Sequence, residues 1–242
     1  MICVMSPSQL DIYTDGACLG NHSVATRKCA TGWGVVVVKS SGSDEVVLSE
    51  MFGTVVLDSS SMYYMGAEVG SNNTAELTAI GEALLWLIEN WQGRHASGRI
   101  DTVVIRYDSE YAAQSIMGVF NGKKNRKIID TIRAYYARVR SIGSSIGCSV
   151  SFVHVKGHSG DRWNDRADRL ATSAASTQST CTTGRYGLPA GSSAILTTRE
   201  NSEEAGSERR STSDCMSVVD KKRSENAQRV VSCQSPLGYV TY

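Results

Sequence analysis

Residues Leu10-Asp11-Ile12-Tyr13-Thr14 alternate apolar and polar side chains and run into Asp15-Gly16. Period two puts every second residue on one face, so this stretch predicts a half-buried strand that ends at the Asp-Gly pair. A second strand is expected after Gly32-Trp33-Gly34, where Val35 to Val38 form a β-branched run, and a third over Val46 to Val56. The spacing then changes. From Asn73 to Asn90, Leu77, Ile80, Leu84, Leu87 and Ile88 fall on one face of a helix. Asp101 to Tyr107 is again β-branched and stops at Asp108-Ser109, where a short helix over Glu110–Met117 can begin. Lys127 to Val139 is amphipathic through Ile128, Ile129, Ile132, Tyr135, Tyr136 and Val139. Val150 to Val155 reads as a fifth strand, and Asp161 to Ala175 as a last helix with Trp163, Ala167, Leu170 and Ala171 at core spacing. The order βββαβααβα predicts an α/β fold, a five-stranded mixed sheet flanked by helices.

Composition adds a boundary. Only Pro7, Pro189 and Pro236 interrupt the 242 residues, so the long regular elements fit between Ser8 and Leu188. From Ser176 to Tyr242 the texture shifts, with 20 of 67 residues Ser or Thr and few apolar side chains, which predicts a disordered tail. Residues 1–8 form a short extension, 9–175 an ordered domain and 176–242 the tail.

Net charge is +1, from 25 basic and 24 acidic side chains, so any polyanion must be met by a local patch rather than a global field. The seven cysteines are odd in number and never form a CxxC pair, which suits reduced thiols in an intracellular setting, cytoplasmic or nuclear. No stretch approaches 18 apolar residues and Met1 to Leu10 has no secretory pattern, so neither export nor membrane contact is expected.

Four acids stand out by position: Asp15 closing the first strand, Glu76 opening the first long helix, Asp108 closing the fourth strand and Asp168 on the last helix. If the first and fourth strands are parallel neighbours, Asp15 and Asp108 lie about 5 Å apart, the spacing between strands. Carboxylates that close repel unless cations neutralise them, and hard divalent ions such as Mg²⁺ suit an oxygen-ligand set and phosphodiester chemistry. Singly, each acid also fits a cap, a turn or an exposed helical position.

Four blocks in order settle which reading they share. They are Tyr13-Thr14-Asp15-Gly16-Ala17-Cys18-Leu19-Gly20-Asn21 with Gly32-Trp33-Gly34; Ser71-Asn72-Asn73-Thr74-Ala75-Glu76-Leu77; Tyr107-Asp108-Ser109-Glu110-Tyr111; and Val155-Lys156-Gly157-His158-Ser159-Gly160 running into Asn164-Asp165-Arg166-Ala167-Asp168-Arg169-Leu170-Ala171. Across residues 9 to 175 the chain resembles the type 1 ribonuclease H family. The resemblance implies that fold, and an endonuclease that cuts the RNA strand of RNA-DNA hybrids with two Mg²⁺ ions per site, Mn²⁺ being a substitute, leaving 5′-phosphate and 3′-hydroxyl ends. It implies metal ligation by Asp15, Glu76, Asp108 and Asp168, with Asp15 bridging both ions, and proton transfer or product departure assisted by His158. Histidine is the residue type that exchanges protons near neutrality; a surface or capping role is the alternative.

For substrate, the resemblance puts Asn21, Asn72 and Asn73 at the RNA strand, Ser71 near a DNA phosphate and Asn125 at another phosphate. Asn72-Asn73 also reads as a turn and helix N-cap. Lys123-Lys124-Asn125-Arg126-Lys127 gathers four cations at a helix start, where they oppose the macrodipole; phosphate binding, with Lys123 and Lys124, explains them better than helix stability, a solvated charged face being the alternative. A monomer with a nucleic-acid partner and no evident protein partner is expected. Two departures from the family stand out: a longer stretch over residues 59–68 that alters the approach to Glu76, and Glu110, which adds negative charge beside the site. An inactive hybrid-binding domain, another nuclease of the same fold acting on DNA, and a piece of a retroelement polyprotein are the competing readings.

Overall fold

The computed structural model of the chain describes residues 8–20, 29–91, 100–121 and 123–177. The nine elements among them belong to one unit. They are β1 (Ser8–Leu19), β2 (Ala30–Ser41), β3 (Asp44–Thr54), α1 (Asn72–Trp91), β4 (Thr102–Tyr107), α2 (Glu110–Met117), α3 (Arg126–Ile146), β5 (Ser149–His154) and α4 (Arg162–Thr177). The sheet order is β3-β2-β1-β4-β5. β1 runs antiparallel to β2 and parallel to β4, which is parallel to β5. The mixed sheet and the element order agree with the sequence pattern.

Strict alternation divides the core into two layers. Ile12, Val35, Val37 and Ile105 point to one face, where they pack with Leu77, Ile80, Leu84 and Leu87 of α1 and Ile128 and Ile132 of α3. Tyr13, Val36 and Val38 point to the other and meet Ala167 and Leu170 of α4. Helices therefore cover both faces of the sheet.

Three boundaries differ from the sequence reading in ways that matter. β1 does not stop before Asp15; it continues to Leu19, because its antiparallel partner continues beside it from Asp15↔Gly34 to Leu19↔Ala30. The parallel pairing with β4 ends at Thr14↔Tyr107, so Asp15 and Asp108 still leave that pair side by side. α3 runs seven residues beyond Val139, ending where Gly147, in a left-handed conformation, caps it through Gly143 and Ser144 carbonyls. α4 runs through Thr177, two residues into the stretch read as tail; residues 178–242 lie outside the described residues, as does Asn21.

Candidate active site

Asp15 reaches the site from β1, and the residue after it decides how closely α1 can approach. A Cβ on Gly16 would stand 2.2 Å from the Glu76 backbone nitrogen, a distance that admits only glycine. With that space empty, the first turn of α1 rests on β1, and the Gly16 backbone hydrogen-bonds both the Asp15 and the Glu76 carboxyls. Asp108 follows β4, immediately before Ser109, whose hydroxyl accepts the Ala112 N–H and caps α2. One carboxylate oxygen from each of Asp15, Glu76 and Asp108 lies within 4.8 Å of the others.

Asp168 belongs to the same electrostatic cluster, although it stands outside that tight trio. Its charge raises the pKa of all three other carboxyls. What brings it there is α4 lying against bare backbone of β2. A Cβ on Gly34 would be 2.3 Å from the Ala167 carbonyl oxygen, and one on Gly32 equally close to that of Ala171. Arg166 then fixes the helix with two hydrogen bonds to the Glu50 carboxylate at 2.8 and 2.7 Å, and the Trp163 indole N–H donates to Glu45.

Burial and mutual repulsion leave these acids reluctant to ionise. Asp15, 5% exposed, is pushed up to about 8, first by burial and then by the Asp108 and Asp168 charges. Glu76 is raised well above the usual carboxylate range by burial and then by Asp15 and Asp108. Asp108 is raised by burial, and hydrogen bonds from its own backbone and from Asn164, together with the His158 charge, draw it partly back. Asp108 Oδ1 is buried with no hydrogen-bond partner. A pocket of acids with an orphaned carboxylate oxygen is the donor set a hard divalent cation satisfies. The residues fit such an ion.

His158 sits on the loop that β5 delivers beside Asp108: Val155 N–H donates to the Tyr107 carbonyl at 2.7 Å, and Gly157 packs against Asp108 Oδ2. Its side chain is exposed, and its backbone is left-handed at φ 51°. The other non-glycine residue with positive φ among those described is Asn125, at φ 58°. Such strain concentrates where a side chain must be aimed.

The amides and cations sort themselves more finely than the sequence reading did. Ser71, not Asn72 or Asn73, caps α1: its hydroxyl accepts the Thr74 N–H at 3.2 Å while Thr74 Oγ1 accepts the Ser71 N–H at 2.9 Å. Asn72 and Asn73 are thereby left as exposed residues of the first turn. Asn125 Nδ2 donates to the Tyr111 hydroxyl at 3.1 Å, so Tyr111 orients it. Lys123 and Lys124 are exposed, whereas Arg126 pairs with Asp130 and Lys127 with Glu68.

One residue of the site escaped the sequence reading as a candidate. Asn164, one helical turn before Asp168, is 2% exposed, favours the ionised form of Asp108, and keeps its own Oδ1 without a partner. A polar residue at a core-facing position of α4 was the available signal.

The RNase H family profile matches residues 7–176. Similar proteins include the ribonuclease H of a Polaromonas species, 33% identical over 170 residues that make up 68% of this chain and 86% of that one. The ribonuclease H of Erythrobacter litoralis is 32% identical over 178 residues, 71% of this chain and 99% of that one. Among solved structures, the RNase H1 from the halophilic archaeon Halobacterium salinarum is 23% identical, with a TM-score of 0.41 over 70% of this chain and 98% of that one.

Proposed function

The chain belongs to the ribonuclease H family and is a ribonuclease H, and we propose that it cuts the RNA strand of RNA-DNA hybrids endonucleolytically, by two-metal-ion catalysis at the Asp15 cluster. The observation that carries this is the convergence of Asp15, Glu76 and Asp108 within 4.8 Å, beside a buried, unpartnered Asp108 oxygen. Asp15, Glu76, Asp108 and Asp168 would hold two Mg²⁺ ions, with Mn²⁺ able to substitute. Such ions, when bound, neutralise the carboxylates, acidify water and stabilise the attacking and leaving oxygens of the phosphodiester.

The chain's own side chains supply orientation and proton transfer. Asn164, buried beside Asp108, favours the ionised form of that carboxyl. His158, exposed on its loop next to Asp108, gives a proton to the departing 3′ oxygen, so that 3′-hydroxyl and 5′-phosphate ends result. Asn72, Asn73 and Asn21 read 2′-hydroxyls of the RNA strand, which side-chain amides suit because a 2′-hydroxyl both donates and accepts. Asn125, Lys123 and Lys124 hold phosphate of the DNA strand beside the N-terminus of α3, whose N-cap, Asn125, makes no capping hydrogen bond to the helix and leaves its first N–H groups to an anion. Ser71, its hydroxyl occupied by the cap, approaches a phosphate only from its remaining donor side. The domain works as a monomer over residues 9–175.

The deciding experiment incubates labelled RNA-DNA hybrid, duplex DNA and duplex RNA with the protein, with Mg²⁺ or chelator, beside Asp15→Asn and Asp108→Asn variants. Metal-dependent cutting of the RNA in the hybrid alone, lost in both variants, is expected. Hybrid binding without cutting would mean an inactive binding domain, and cutting of duplex DNA would mean a different nuclease.

A further inference from the structure

Residues 63–70 overlap the stretch, 59–68, that the sequence sets apart ahead of Glu76, and none of them belongs to the site described above. They nevertheless join its two substrate-facing parts. At one end, Gly66 lies against the start of α3, with a backbone φ of +107°; a Cβ there would stand 2.7 Å from both the Ile128 nitrogen and the Lys127 carbonyl carbon. Glu68 pairs with Lys127 Nζ at 2.6 Å, two residues past Asn125. Between them Met65, 3% exposed, is wedged between the long helices: its sulfur is 2.8 Å from where a Cβ on Gly81 of α1 would stand, beside Ile132 of α3. At the other end, the Val69 carbonyl accepts the Thr74 hydroxyl at 2.9 Å, and Thr74 is the residue locked with Ser71 at the head of α1. Every link from Asn125 to Asn72 is thus covalent, hydrogen-bonded or close-packed.

We propose that residues 63–70 act as a spacer that sets the separation between the Asn72-Asn73 amides and the Asn125 phosphate site, so that Gly66 and Glu68 determine affinity for hybrid without touching it. This rests on the assignment of those asparagines to the two strands. The physical reason is preorganisation. A duplex is gripped on two strands only if both contact sets are held at the matching span beforehand, since otherwise binding must supply the ordering. These are positioning residues, and their effect falls on substrate binding rather than on the acids.

The sign of one substitution separates this from simple electrostatics. Glu68→Gln removes a negative charge and releases Lys127, so a pure charge effect makes a polyanion bind more tightly. Loss of the spacer's anchor makes it bind more weakly. Steady-state cleavage of hybrid by Glu68→Gln is expected to show KM about threefold higher, kcat within twofold and an unchanged thermal midpoint, the modest size reflecting an exposed ion pair. Gly66→Ala, which breaks the packing itself, is expected to raise KM about tenfold with kcat preserved. A KM for Glu68→Gln equal to or below wild type overturns the inference, as does a fall in kcat with KM unchanged. A wild-type chain that cuts no hybrid overturns the functional reading, and this inference with it.

Discussion

Burying the Asp15 carboxyl beside Asp108 and Asp168 raises its pKa to about 8, against 3.8 for the free side chain. Each pKa unit corresponds to about 1.4 kcal/mol between the two protonation states. At neutral pH the metal-free fold therefore pays to keep on Asp15 a proton that the unfolded chain has lost, while the proposed two-metal chemistry needs the carboxylate ionised. Asp15→Asn should abolish cleavage and yet, in chelator at pH 8, raise the thermal midpoint by roughly 5 °C, as a stabilisation of about 2 kcal/mol does in a domain of this size. A midpoint equal to or below wild type would show that the cluster carries no such strain. Asn164 acts one step further out. Asn164→Ala removes a buried amide that favours ionised Asp108, and loss of an outer-shell partner typically costs about 10–100-fold. The expected outcome is kcat lowered about tenfold, KM unchanged, and a higher Mg²⁺ concentration for half-maximal rate. The carboxylates were legible in the sequence because the four blocks that hold them occur together and in order, although Thr14-Asp15-Gly16 or Tyr107-Asp108-Ser109 alone fits a turn or a cap equally well. Asn164 was not, because its burial and its orphaned oxygen exist only once α4 lies on the sheet.

Elements carry these residues into register, and two glycines on β2 decide how well. With only hydrogen at Gly34, α4 approaches until the Ala167 carbonyl is 2.3 Å from the place a Cβ would take. Gly34→Ala must push the helix outward, and overpacking of this kind costs about 1–3 kcal/mol. The measurable outcome is a thermal midpoint lower by about 5 °C together with reduced kcat, because Asp168 moves with the helix. An unchanged kcat would show that α4 shifts along its axis without disturbing the acid. Most element boundaries could be read from periodicity, since strand alternation and the helical stripe of Leu77, Ile80, Leu84 and Leu87 are strong local signals. The exceptions are instructive. Asp15-Gly16-Ala17 looks like a turn in isolation and is strand only because β2 pairs with it as far as Leu19↔Ala30. The far turns of α3 look polar, and are helix because buried Gly143 gives its carbonyl to the Cys148 N–H at 2.9 Å, tying the helix end to β5.

For the molecule as a whole, the acid cluster links stability to pH and, under the proposed metal binding, to divalent ions. Asp15 and Glu76 both have folded-state pKa values above their unfolded ones. Between about pH 4 and pH 8 the folded metal-free protein therefore binds more protons than the unfolded chain, and its stability falls as pH rises through that window. The direction is opposite to that of a salt-bridged carboxylate, which loses stability on acidification. A divalent ion held by the carboxylates reverses the penalty by pairing with the ionised forms and by binding only the folded state. Thermal midpoints measured from pH 5 to pH 8 should accordingly decline in chelator and decline less, or rise, with Mg²⁺, so that the difference between the two curves widens with pH. Asp15→Asn should narrow that difference at pH 8. Parallel curves in the wild type would mean that the ion, if bound, does not meet these acids, and would move the metal site away from the end of the β1–β4 pairing, where Asp15 and Asp108 lie side by side.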